Sequence, residues 1–297
     1  MSAQRIRFIG LGKMGAPMAA RLLEREIALE LADADPDAVD AIVASYPGLA
    51  SPAGECWAGT DIVILMLPGS PIIESVVGGA GALEGLDAGA TIVDMSSAEP
   101  GSTVSLAAKA AAKGVRFVDA PVSGGVLRAK DGTLAIMVGG FSSDVADVSR
   151  LFEPLGTMMH VGPVGSGHAA KALNNLVSAT TLAITAEAIL AGEAFGIEPA
   201  TMTQVLNSSS GRSNSSEVKM PKFILPETFD SGFALSLMAK DLRIAASLLP
   251  QVSAHGSVAT SAIELWNAAD SEYEPAADHT LIFEFLTRQQ GRDDEQG

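Results

Sequence analysis

The stretch Ile6-Arg7-Phe8-Ile9-Gly10-Leu11-Gly12-Lys13-Met14-Gly15 constrains the fold of this chain more than any other. An apolar run, Ile6 to Ile9, reads as a buried strand and feeds three glycines spaced G-x-G-x-x-G. A helical pattern follows through Met18, Leu22 and Leu23. In a strand–turn–helix setting each glycine serves a separate purpose. Gly10 turns the chain off the strand, Gly12 leaves its backbone open to an approaching pyrophosphate, and Gly15 lets helix and strand pack closely. The helix start adds free N–H groups and a partial positive charge. Pro17 suits the first helical turn, where a missing N–H costs nothing.

A lone glycine pattern of this kind is a weak signal, but its surroundings raise it. A second apolar strand, Leu29 to Ala32, follows the helix and ends at Asp33, 18 residues beyond the last glycine. An acid there accepts both ribose hydroxyls of an adenosine and repels a 2′-phosphate, which favours NAD over NADP. Asp35 and Asp37 flank Pro36 and read as a solvated turn.

The 297 residues carry a formal net charge of −16 and one cysteine, Cys56. That charge argues against a nucleic-acid or membrane-surface partner, both of which need a basic face. A lone cysteine excludes an intramolecular disulfide and fits a reducing, cytoplasmic setting. No secretory leader is expected at the start. The most apolar long stretch, Leu176 to Gly192, carries Ser178, Thr180, Thr181, Thr185 and Glu187, and is expected to be a buried helix rather than a membrane span. No cluster of metal ligands is expected.

Further strands are expected at Ile62 to Leu67, Thr91 to Asp94, Arg116 to Asp119, Ala135 to Val138 and Met158 to Val161. A short helix over Ile72 to Val77 and an alanine-rich one over 102–113 alternate with them. Strand alternating with helix gives a mostly parallel, doubly wound sheet, in which ligands sit at the carboxyl ends of the strands. After the turn at 162–167 the pattern becomes helical: a very long helix over 168–195, then segments near 200–208, 236–249, 256–268 and 278–288. The expected organisation is a dinucleotide-binding α/β domain over 1–163, an all-α domain over 164–290 joined to it through the long helix, and a disordered tail over 291–297.

Two other segments bear on chemistry. Asp119-Ala120-Pro121-Val122-Ser123-Gly124-Gly125 offers successive backbone N–H groups and a hydroxyl that can form an anion-binding concavity, though by itself it is also an ordinary turn. Lys171 and Asn175 are four apart and share a helical face among Ala169, Ala170, Ala172 and Leu173. Burial would lower the lysine's pKa and suit it to proton transfer. By spacing alone, a surface lysine beside an asparagine is the commoner outcome.

Taken together, the chain resembles the β-hydroxyacid dehydrogenase family, which includes 3-hydroxyisobutyrate dehydrogenases and tartronate semialdehyde reductases. The resemblance covers Ile6 to about Leu286. It is carried by Phe8 to Gly15, Met66-Leu67-Pro68, Val93 to Ser97, Asp119 to Gly125, Gly132-Thr133-Leu134, Lys171 to Asn175 and Lys240-Asp241-Leu242, in this order. It implies that Gly10, Leu11, Gly12, Lys13, Met14, Gly15 and Asp33 hold the adenosine and pyrophosphate of NAD, and that Leu67, Pro68, Ser97 and Lys240 border the cofactor. It also implies that Ser123, Gly124 and Gly125 hold the substrate carboxylate. Lys171 matches the catalytic lysine, Asn175 its substrate-orienting partner, and Phe233 a residue of the cleft. The activity implied is reversible hydride transfer between a small 3-hydroxy acid and its semialdehyde or keto form, in a homodimer or homotetramer.

At Arg128, where many relatives carry a small residue, the chain departs from the family pattern. Arg128 and Arg212 are therefore candidates for a second anionic group on the substrate. The competing readings are an NADP-linked semialdehyde reductase, a decarboxylating sugar-phosphate dehydrogenase, which is usually longer, an imine reductase, which usually lacks the lysine, a short-chain reductase, which needs a Tyr-x-x-x-Lys pair that neither Tyr46 nor Tyr273 has, and a non-catalytic dinucleotide sensor or scaffold.

Overall fold

The computed structural model describes residues 4–79, 81–251 and 256–294. In chain order the first part holds β1 (Ile6–Ile9), α1 (Gly15–Leu23), β2 (Leu29–Ala32), α2 (Pro36–Ser45), β3 (Ala50–Pro52), β4 (Ile62–Leu65), α3 (Ser70–Glu74), α4 (Ala82–Gly85) and β5 (Thr91–Asp94). It continues with α5 (Pro100–Ala112), β6 (Arg116–Asp119), β7 (Val122–Ser123), α6 (Gly125–Asp131), β8 (Leu134–Gly139), α7 (Ser142–Val148) and β9 (Gly156–Gly162). The helical part comprises α8 (Ser166–Phe195), α9 (Pro199–Asn207), α10 (Leu235–Gln251), α11 (Ser257–Glu272) and α12 (Ile282–Asp294), with a π-helix over Ser215–Ile224 between α9 and α10.

The strands form one sheet in the order β3-β2-β1-β4-β5-β6-β8-β7, with β9 beside β8. The pairs from β3 through β6 are parallel, whereas β8 runs antiparallel to both β6 and β7. β1, β4 and β5 are buried at every position, as strands covered on both faces must be. One face packs Phe8, Leu31 and Ile64 against Met18, Leu22 and Phe152, and the other packs Leu65, Ile92 and Phe117 against Ile73 and Leu106.

The chain divides into two compact units, Met1–Lys171 and Ala172–Gly297. The division falls inside α8, later than the expected turn at 162–167. The reason is physical: the first turn of α8 is hydrogen-bonded to the sheet through Asp119. In the second unit, Leu176, Leu182 and Ile189 of α8 pack with Leu242, Trp266 and Phe285. α8 is long and apolar enough to cross a membrane by length and composition, but half of its most apolar window is buried in the protein, as in a core helix.

Several local expectations change. β4 stops at Leu65 rather than Leu67. Met66 N–H still bonds Ile9 O, but Leu67 N–H turns away to Ser96 Oγ. Around Pro36 lies the start of a helix, not only a turn: the Asp35 side chain accepts the Asp37 N–H at 3.1 Å and caps α2. α2 buries only Val39, so its apolar periodicity is faint. The expected helix at Ile72 starts earlier, at Ser70, and passes into a π-helical turn over Ser75–Gly79. α12 continues through residues 291–294 of the expected disordered tail, while 295–297 lie outside the described residues.

Candidate active site

At the glycine turn the backbone leaves no choice of residue. A Cβ on Gly10, whose φ is +98°, would stand 2.2 Å from Met66 O, and one on Gly15 would stand 1.8 Å from Gly10 O. Gly12 differs: nothing lies within 4 Å of a Cβ placed there, so its outer side is open to a ligand. Met14 at the start of α1 has no side-chain cap, which leaves that helix end to an incoming anion. Asp33 stands beside this turn. One of its oxygens accepts the Leu11 N–H and the other the Asp35 N–H at 2.9 Å. A cavity of about 490 Å³ opens alongside, with Ile9, Ala32, Ala53, Trp57 and Val76 in its wall. Open glycine backbone, an uncapped helix end, the Asp33 carboxylate and a recess lined by apolar side chains together with Arg7 and Glu55 fit an adenine dinucleotide.

The loops after β4 and β5 are tied to each other. Leu67 N–H donates to Ser96 Oγ at 2.9 Å, and Glu99 N–H to Ser70 Oγ at 2.9 Å. Leu67 and Ser97 are half-buried and Pro68 is exposed beside them. Ser123 ends β7, and Gly124 and Gly125 follow with φ of +140° and +70°, opening α6 without a side-chain cap. Arg128 is exposed, and its stem folds back over Gly124, where a Cβ would come within 2.6 Å of Arg128 Cδ.

Lys171 is buried, 8% exposed, in the first turns of α8. The start of that helix is fixed by residues whose role sequence reasoning missed. The Asp119 carboxylate, at the carboxyl end of β6, accepts Gly165 N–H at 2.7 Å and His168 N–H at 2.9 Å. It satisfies two of the donors that a helix start leaves open. The approach is so close that a Cβ on Gly139 or Gly167 would stand 2.5 or 2.8 Å from its oxygens. His168, also fully buried, lies 2.7 Å through Nδ1 from Thr103 Oγ1 and 3.1 Å through Nε2 from Ser96 O. In a neutral ring protonated on Nε2, Nε2–H donates to the Ser96 carbonyl, and Nδ1 meets the Thr103 hydroxyl, which itself donates to Glu99 O at 3.2 Å. His168 thus joins the helix of Lys171 to the Leu67–Ser96 loops. Asp94 completes the cluster: burial pushes its carboxyl up, with His168 and Ser96 opposing. The sequence signal was present in Asp94 and Asp119, acids at strand ends, but nothing in their spacing points to His168.

In the second unit, Asn175 is buried and donates from Nδ2 to Asp241 Oδ2 at 2.6 Å. Asp241, buried as well, has Oδ1 3.9 Å from Lys240 Nζ. One acid therefore orients the asparagine and pairs with the lysine. Phe233 is held by its own carbonyl, which accepts His279 N–H at 2.9 Å and lies 3.0 Å from His279 Nδ1. Arg212 is largely exposed and pairs with Glu217 at 3.3 Å. Among the described residues, no group of three or more acidic, histidine or cysteine side chains could hold a metal ion.

Fold and glycine turn define a dinucleotide-binding α/β protein with an α-helical second part. Residues 5–163 match the family described as the NAD binding domain of 6-phosphogluconate dehydrogenase, and residues 165–286 match the one described as the NAD-binding domain of NADP-dependent 3-hydroxyisobutyrate dehydrogenase. The chain is 42% identical to a 2-(hydroxymethyl)glutarate dehydrogenase of Eubacterium barkeri over 81% of each protein. It is 33% identical to an NAD-dependent L-serine dehydrogenase of Pseudomonas aeruginosa, covering 97% of this chain and all of that protein. A solved 3-hydroxyisobutyrate dehydrogenase of Mycobacterium tuberculosis, with L-serine, superposes with a TM-score of 0.87 at 28% identity, over 95% of this chain and 99% of that one. The chain belongs to the β-hydroxyacid dehydrogenase family, NAD(P)-dependent oxidoreductases that act on a CH–OH group.

Proposed function

We propose that this enzyme oxidises a small 3-hydroxy acid to its semialdehyde or keto form, with Lys171 as general acid/base. The observation that carries the reading is a buried lysine one turn beyond a helix start pinned by Asp119 and His168. Ser123, Gly124 and Gly125 hold the substrate carboxylate with hydroxyl and backbone N–H groups. Asn175, oriented by Asp241, turns the hydroxyl-bearing carbon. NAD, held by residues 10–15, Asp33, Leu67, Pro68, Ser97 and Lys240, supplies the hydride acceptor when bound. Lys171 takes the hydroxyl proton as the hydride leaves, and in the reverse direction returns it to the carbonyl oxygen.

The names of the relatives support the reaction class, and Lys171 favours a hydroxy acid over an imine. We assign residues 1–163 to cofactor binding and 164–290 to substrate binding and self-association, and place the enzyme in the cytoplasm as a homodimer or homotetramer. Val177, Ile184 and Phe195, exposed along α8, support the self-association.

The test is initial rates with NAD and NADP against a panel of 3-hydroxy acids, with Lys171→Ala alongside. The expected loss is ~10²–10⁴-fold in kcat with NAD affinity retained. A variant with near-normal kcat refutes the role of Lys171. Tight NAD binding without lysine-dependent turnover of any acid supports a sensor instead.

A further inference from the structure

β1 is covered on both faces, yet its second residue is an arginine. Arg7 is 2% exposed and forms part of the wall of the recess beside the glycine turn. One side of its guanidinium is fixed. Nη2 donates to Cys56 O at 2.8 Å and to Glu30 Oε2 at 3.2 Å, and Cζ lies 4.3 Å from the centre of the Trp57 ring. Glu30 is shared, because its other oxygen accepts from Arg5 Nε. The rest of the fork is unspent. Nε is buried with no acceptor, and among the described residues every side-chain hydrogen bond of Arg7 leaves from Nη2. A guanidinium carries donors on every nitrogen, and a buried donor left unmet is costly. A ligand that brings an acceptor to this wall relieves that cost.

The rest of the wall says which ligand. Trp57 is half-buried and has space made for it by α4, where a Cβ on Gly85 would stand 2.8 Å from Trp57 Cβ. Ala32 and Val76 join it in the recess. Val76 lies in the π-helical turn Ser75–Gly79, a rare form found often at functional sites. Glu55, exposed, is the acid of the wall. A 6-aminopurine suits such a lining. Its ring faces are apolar, its ring nitrogens accept hydrogen bonds, and its amine donates them. All these residues belong to the first compact unit.

We propose that Arg7, held in place by Glu30 and Trp57, is the residue that reads the adenine of the cofactor by donating to a ring nitrogen, with Trp57 packing against the base. This rests on the placement of the cofactor at the glycine turn given above.

The decisive comparison uses AMP and ribose 5-phosphate, which differ in the base. Each displaces NADH from the full-length protein, followed by NADH fluorescence, in the wild type, Arg7→Met and Arg7→Lys. AMP is expected to bind the wild type at least ~10-fold more tightly than ribose 5-phosphate, since only AMP meets the charged donor. Arg7→Met reduces that ratio by ~10-fold, the size of one hydrogen bond to a charged group, and leaves ribose 5-phosphate affinity unchanged. Arg7→Lys keeps the charge without the fork and retains only part of the ratio. A wild type with no preference for AMP overturns the proposal, and so does an Arg7→Met protein that keeps the preference or weakens both ligands alike. Trp57 supplies a readout that needs no change at Arg7. AMP should alter the tryptophan emission of the wild type and ribose 5-phosphate should not, and Trp57→Phe, which leaves Trp266 as the remaining indole, should abolish the response. AMP binding that leaves Trp57 emission unchanged also overturns the proposal. A protein that binds no NADH removes the cofactor placement itself, whereas NADH binding with an unaltered AMP preference in Arg7→Met removes the assignment of Arg7 alone.

Discussion

Asp33 holds the glycine turn and, in the proposed reading, also meets the ribose of the cofactor. Its carboxylate braces the glycine turn through the Leu11 N–H while standing where a ribose would approach. The same negative charge disfavours a 2′-phosphate. Asp33→Ser is therefore expected to raise the ratio of kcat/KM with NADP to that with NAD by at least ~10-fold, since a like-charge clash is removed. Affinity for NAD itself should fall, because Leu11 N–H loses its acceptor. Steady-state kinetics with both cofactors checks this, and an unchanged ratio would show that Asp33 does not face the ribose. Residues of this kind are legible in the sequence because a short motif fixes their distance from a strand end. His168 and Asp241 are not: their partners are Ser96 and Asn175, and no local pattern encodes such pairings.

At the scale of elements, the start of α8 decides where Lys171 points. Two backbone donors converge on Asp119, and both are buried. Asp119→Ala leaves both buried donors without their acceptor. The expected cost is about 3 kcal/mol of unfolding free energy, measured by urea denaturation. kcat should fall more than KM rises, because the helix that directs Lys171 is loosened. A stability within about 0.5 kcal/mol of wild type would mean that other groups hold this helix end.

The loop bearing Phe233 gives the corresponding test by pH. Burial holds the His279 imidazole below its ordinary value of 6.5. The unfolded chain then binds more protons than the folded one below about pH 6.5, so stability drops as pH descends from there toward the folded pKa. Asp278 adds a loss of the same sign at lower pH. Burial alone would raise its carboxyl, but bonds from His279, Thr280 and Ser231 outweigh that and keep it well below the usual range. A urea titration series from pH 7.5 to pH 5 should show the His279 slope, and His279→Gln should flatten it. Asp94, raised by burial, slopes the opposite way, so the readout is the difference between the two proteins, and parallel wild-type and His279→Gln profiles would refute the buried neutral ring. Most β-strands are legible in the sequence because burial on both faces writes continuous apolar runs. α2 and α6 are not, because one is mostly exposed and the other begins in glycines.

For the whole molecule the dominant fact is a net charge of −16. Some of its carboxylates are matched at short range; for the Glu30 carboxylate between Arg5 and Arg7, burial raises it but those two guanidinium groups outweigh that and hold it low. The remaining charges repel across the surface, and folding brings them closer than they stand in the unfolded chain. Salt screens this repulsion, with a Debye length of about 30 Å at 0.01 M and about 8 Å at 0.15 M. Thermal unfolding at pH 7 is therefore expected to shift upward by a few degrees between those ionic strengths, as measured by calorimetry with sodium chloride. The direction separates two pictures of the fold. If the short-range pairs dominated, screening would weaken them and the transition would move down. Repeating the scan near pH 5 gives the control: carboxylates take up protons, the net charge shrinks, and the salt effect should shrink with it. An upward shift that vanishes on acidification assigns the effect to long-range repulsion, and a downward shift at pH 7 overturns it.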